Sequence, residues 1–328
     1  MVTRIASASA VLSCLFAVSV NAQTWDGGGA VGGDVNWNTA ANWSPDGVPV
    51  SNGTANIIMA GTIDTANTVN VNFDINSLTF DNTVGAFNIS NSGGATLTIQ
   101  GGGITNNDTQ TQTINVPIVL GASQTWTAAA GTLAFNTGSV DLGGNQLIFD
   151  AATGSSGIAV SISGVAGALV KNGANTLSLN ASNSFTGGVT LNAGQLTLNN
   201  NSSLGTGTLT INGGTLNGGT LGASRSLANA VTVNANFATA GSQGITLSGP
   251  MTLTGSRLIT VSNTNGVTIS GAIGENSALR GLAKNGTSTL TLSGANTYTG
   301  GTGISEGTLR IGANERLVDA SELFVDGF

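Results

Sequence analysis

The chain has 328 residues, of which only 7% are charged, with 15 acidic against 8 basic side chains, 50 glycines, one cysteine and no histidine. These counts exclude Ser-His-Asp and Cys-His catalysis and histidine-ligated zinc. No Lys or Arg lies between Arg4 and Lys171, and no acid between Asp150 and Glu275. Such an acidic to neutral chain is unsuited to a nucleic-acid backbone, so no nucleic-acid partner is expected.

Residues 1–22 read as a secretory signal peptide. Arg4 precedes an apolar run from Ala10 to Val20, and Val20-Asn21-Ala22 fits a small-x-small cleavage site. The run is shorter than the roughly 20 apolar residues a membrane span needs. Cleavage after Ala22 removes Cys14 and leaves no thiol. Export without disulfides fits a secreted protein or a bacterial outer surface.

Residues 23–56 differ in composition from the rest of the chain. Trp25, Trp37 and Trp43 stand among Gly27-Gly28-Gly29, Gly32-Gly33 and Pro45-Asp46-Gly47. A stack of repeated units needs a lid on its first member, and tryptophan covers a large area. The segment is therefore expected to be an N-terminal cap, with an aromatic platform for sugar as the alternative.

From Ile57 to the end, 57–328, short strands follow one another at period 2. Val69-Asn70-Val71, Leu78-Thr79-Phe80, Thr96-Leu97-Thr98-Ile99, Ile118-Val119-Leu120, Leu209-Thr210-Ile211 and Val267-Thr268-Ile269 are examples. Apolar residues are 40% of the chain, enough to bury despite the low charge. Each strand brings only about two inward side chains, too few for an isolated hairpin.

One stretch occurs twice. Lys171 to Leu198 and Lys284 to Ile311 align at an offset of 113 residues. Lys, Asn-Gly, Thr-Leu, Asn, Thr-Gly-Gly and Gly-x-Leu fall in register, and Phe185 and Tyr298 share an aromatic slot. The chain is a repeat protein, with copies over about 162–216 and 269–327. Alternate strands in these copies lie 19 to 20 residues apart. That spacing predicts a parallel β-helix of 19–20 residues and two strands per coil, with some fifteen coils and a length on the order of 70 Å. Asn at equivalent corners would form amide ladders. The Asn172-Gly173 and Asn285-Gly286 pairs are hairpin signals, and they support the alternative of an antiparallel β-sandwich.

The pattern L-x-L-x-G-x-N-T-Y-T-G-G-T…G-T-L at Leu290 to Ile311 resembles the autotransporter-associated β-strand repeat, also called the passenger-associated transport repeat. Leu177 to Leu198 is similar, with Ala181 and Phe185 as variants. The resemblance implies a right-handed parallel β-helix in a secreted or surface-displayed bacterial passenger. It implies export with outer-membrane translocation machinery and no catalytic residues.

No chemistry-bearing motif adds to this. Asp74 with Asp81, and Asp141 with Asp150, are the nearest carboxylate pairs, but separations of 7 and 9 residues do not stack them on a coil. Gly32-Gly33-Asp34 is a lone fragment of a calcium-repeat pattern that needs a tandem series. Tyr298 is expected to pack over a turn. No catalytic, cofactor-binding or metal residue and no cofactor is expected. The reading is a structural, adhesin-like passenger or surface stalk and not an enzyme; the alternative is a polysaccharide-binding or polysaccharide-degrading β-helix. The last residues, Leu323-Phe324-Val325 into Asp326-Gly327-Phe328, read as an unfinished rung through which like chains could associate, with surface glycans as another partner.

Overall fold

The computed structural model describes residues 22–29, 33–220, 222–312 and 323–325. Residues 1–21 of the expected signal peptide and Asp326-Gly327-Phe328 lie outside these residues. The described residues form a parallel β-solenoid of about twelve coils. Short strands distribute over sheets of 16, 13 and 5 members, the first, second and third sheets here. Strand pairs are parallel throughout, except for Ala22–Trp25 against Trp43–Ser44. The antiparallel sandwich is thereby corrected. The Asn-Gly pairs turn the chain from one sheet to the next instead of folding it back: Ala168–Asn172 lies in the first sheet and Thr176–Leu179 in the second.

Alternation explains why these segments stack. In Thr176–Leu179 and Gln195–Leu198 the leucines point inward and are fully buried, while Thr and Ser face out. Each coil places its inward residues on those of the coil below. One column of the first sheet runs Ile57, Leu78, Ile104, Trp126, Phe149 in strict register. Each such buried side chain stabilises the fold by about 1.5–3 kcal/mol, and together they form one continuous core.

The coil is longer than the 19–20 residues read from the repeats. That spacing holds at the copies themselves, where Leu177 stacks on Leu196 and Leu290 on Leu309. Elsewhere the average is about 22. Phe73 pairs with Leu97 and Ser77 with Gly103, so one coil accommodates an extra bulge. A two-strand coil also proves incomplete. A third side closes each turn, and within the repeats it is built of loop, not strand.

The last described coil differs from the others. Leu309 is half-buried and Ile311 is 41% exposed, whereas Leu196 and Leu198 at the same positions of the first copy are fully buried. Nothing among the described residues is stacked on that strand, so its inward face packs on one side only.

The three N-terminal tryptophans are wholly buried. Trp43 meets Trp25 and Trp37 edge-on at 5.2 and 5.4 Å, and Trp37 meets Phe73 at 5.5 Å. Trp37 Nε1 donates to Asn67 Oδ1 at 2.9 Å. Rings held this way present no face to a sugar.

Candidate functional site: the lysine corner of the repeat

The chain has two lysines, and they occupy the same repeat position. Lys171 follows Leu169 and Val170 on an alternating strand, which turns its side chain inward with Leu169. It stacks between Phe149 below and Leu191 above. Lys284 stacks likewise between Ile259 and Ile304. Their exposures are 0% and 1%.

Each ammonium ends at a corner lined by carbonyl oxygens. Lys171 Nζ donates to the carbonyls of Asn172, Gly173 (2.9 Å) and Ala193 (3.3 Å). Lys284 Nζ donates to those of Asn285 (3.5 Å), Gly286 (2.7 Å) and Glu306 (2.7 Å). All three acceptors correspond between copies at the repeat offset. Two belong to the Asn-Gly turn and the third to the next coil. An ammonium has three donors, so the set is matched. The close approach of the coils demands glycine: a Cβ on Gly194 or Gly307 would lie 2.4 Å from the carbonyl oxygen of Gly173 or Gly286.

Burial lowers the Lys171 pKa to about 8, opposed by the negative charge of Asp150. Lys284 is lowered by the same cause and opposed by Glu306. Asp150 sits one coil below the first corner, in register with Asn172. Lys171 follows it by 21 residues, one coil.

The repeat's Asn and aromatic positions complete the unit. Asn183 Oδ1 accepts from the Ile162 amide at 2.8 Å and its Nδ2 donates to the Ser203 carbonyl at 2.7 Å. Asn296 accepts from the Ile273 amide at 3.0 Å. Phe185 and Tyr298 are buried over these loops. Outside the core an amide ladder climbs the rod: Asn192 donates to Asn172, Asn212 to Asn192 and Asn234 to Asn212, at 2.7 to 2.9 Å. The Thr254 hydroxyl extends it at 3.0 Å.

The two copies lie on different sides of the rod. Lys171 is on the first sheet and its Leu177–Leu179 strand on the second; Lys284 is on the second and Leu290–Leu292 on the third. The second copy is thus displaced by five coils and one face.

The carboxylates do not converge. Asp74, Thr98, Val119 and Asp141 share one column, which puts the two aspartates three coils apart, about 14 Å. Asp74 accepts from Gln100 Nε2 at 2.8 Å, and Asp141 from the Gly143 amide at 3.0 Å. Asp81 accepts from the Asn82 amide at 2.8 Å. Asp34 forms a turn with Thr39 and Asn36, whose hydrogen bonds, the Thr39 hydroxyl first, hold its carboxyl below the usual range. Among the described residues no group of three metal-ligating side chains is present. A groove of about 600 Å³ crosses the outer face of the second sheet, bounded by Arg257, Leu258, Leu279, Asn285 and Phe324.

These features define a class: a parallel β-solenoid with a duplicated, lysine-filled corner. The family model of the passenger-associated-transport-repeat matches residues 169–198 and 282–311, and the chain carries two of these repeats. Both matches contain the lysine and its three acceptors. The chain is similar to the adhesin BmaC autotransporter of Brucella suis biovar 1 (strain 1330), 38% identical over 109 residues. The alignment takes in 33% of this chain and 3% of that protein. No solved structure matches.

Proposed function

We propose that the chain is a structural segment of a surface-displayed bacterial passenger, a rod that holds its place outside the cell and performs no catalysis. One observation carries this reading. The same repeat unit, atom for atom at its lysine, faces two different sides of the rod. A ligand-reading array would keep repeated groups on one side, whereas a coil-closing element serves equally on any face. The similarity to an autotransporter adhesin supports a location on the outer surface or in the medium.

In this reading residues 1–22 are the export signal, 23–56 the cap and 57–328 the solenoid. Loss of Ala22 leaves Gln23–Trp25 to pair with Ile57–Met59. Outer-membrane translocation machinery is the export partner. A second reading, binding of a polysaccharide, is favoured by the groove beside Arg257, where Leu279 is 76% and Phe324 44% exposed.

The test is the mature chain on a glycan array, with reducing-sugar and unsaturated-product assays beside it. The stalk reading expects no hydrolysis and no glycan whose binding is lost in Phe324→Ala. A saturable glycan signal abolished by that change favours the second reading. Polysaccharide cleavage lost in Asp74→Asn or Asp141→Asn, with folding intact, would establish an enzyme.

A further inference from the structure

We infer that the lysine of each repeat is an internal staple that fastens two successive coils, so that the rod opens locally in units bounded by these corners. The strand ladder supplies backbone partners along each face, but a turn leaves the ladder. At Asn172-Gly173 and Asn285-Gly286 the glycine has φ of 73° and 83°, and turn carbonyls converge on the lysine. Buried carbonyls without donors are costly. Lys171 answers Asn172 and Gly173 on its own coil and Ala193 on the next. Lys284 answers Asn285 and Gly286, then Glu306 on the next. The third bond cannot form until the following coil has docked, so each lysine ties its coil to its successor. Asp150, one coil below the first staple, and Glu306, one coil above the second, supply the opposing charges.

An apolar residue at either position would fill the column and leave the carbonyls unanswered. Leu191, Ile211 and Val233 occupy that column above Lys171 without such a duty. The staple is therefore a property of the repeat and not of the solenoid in general.

The chain's having only these two lysines makes the idea directly measurable. The mature protein is treated with an amine-acylating reagent and counted by intact mass. The α-amine is expected to react at least a hundredfold faster than Lys171 and Lys284, which react fully in denaturant. Hydrogen exchange of Lys171→Met and Lys284→Met is then compared with the parent. Exchange is expected to quicken at least tenfold across 168–198 in the first variant and 282–311 in the second, with the other repeat unaltered. Lysines that acylate as fast as the α-amine would overturn the inference. So would exchange that is unchanged, or that rises evenly along the rod. If a variant does not fold, the parent's acylation still decides.

Discussion

Tyr298 Oη and Thr302 Oγ1 lie 2.6 Å apart inside the second repeat, where the first repeat has Phe185 and Val189. Both partners differ together: a hydroxyl pair in one copy stands where an apolar pair packs in the other. Thr302→Val should cost about 1–2 kcal/mol by taking a hydrogen bond from a buried hydroxyl. The double change Tyr298→Phe with Thr302→Val should cost less than the two single changes summed, by about 1 kcal/mol. Denaturant unfolding of the four proteins in the cycle measures this.

A second prediction concerns pH. The folded-state pKa of Lys171 is lowered to about 8 from an ordinary value of 10.5, so between these values the unfolded chain binds more protons than the folded one. The lysine's contribution to stability should therefore rise with pH from about 8 to 10.5 and be level on either side. The full change is on the order of 3 kcal/mol. Unfolding of the parent against Lys171→Met across this window isolates it. A difference that stays level from 8 to 10.5 and falls only above that range would show the charged form to be the favoured one.

The tryptophan cluster gives a third. Since Trp25, Trp37, Trp43 and Trp126 are all 0% exposed, acrylamide should quench their fluorescence weakly until the rod unfolds. Added oligosaccharides should not alter the emission. Trp37→Ala should cost about 3–5 kcal/mol, the range for emptying a large aromatic site.

The amide ladder gives a fourth. Asn212 sits mid-ladder and exchanges hydrogen bonds with Asn192 and Asn234. Asn212→Ala should lower the unfolding free energy by about 1–2 kcal/mol, and Asn172→Ala, at the end of the ladder, by about half as much.

Much of the solenoid was legible because inward leucines announce themselves by alternation. Leu177, Leu179, Leu196 and Leu198 fix strand, face and stacking at once. The third side was not legible within the repeats, because Asn183 and Asn296 hold it there through side-chain bonds to backbone, which have no period. Coil length was underestimated for a related reason: extra residues collect in exposed bulges such as that near Gln100–Gly102, which no core spacing constrains. The staples were missed because a charged residue reads as surface. The signal was present nonetheless. Lys171 falls on the inward beat set by Leu169, and Lys284 on that of Leu282, at the one position where both copies have lysine.

The parallel stacking beneath all of this is tested most directly by disulfide trapping, since Cys14 is the chain's only native cysteine. Thr190, Thr210 and Thr232 face outward on successive coils and pair in register. Cysteines at 210 and 232 should lie about 5 Å apart between Cα atoms and oxidise readily. Cysteines at 190 and 232 are two coils apart, about 10 Å, and should stay reduced. Quantitative bridging of the first pair and none of the second is the result expected of the solenoid. Bridging of the second pair with the first left reduced would contradict it.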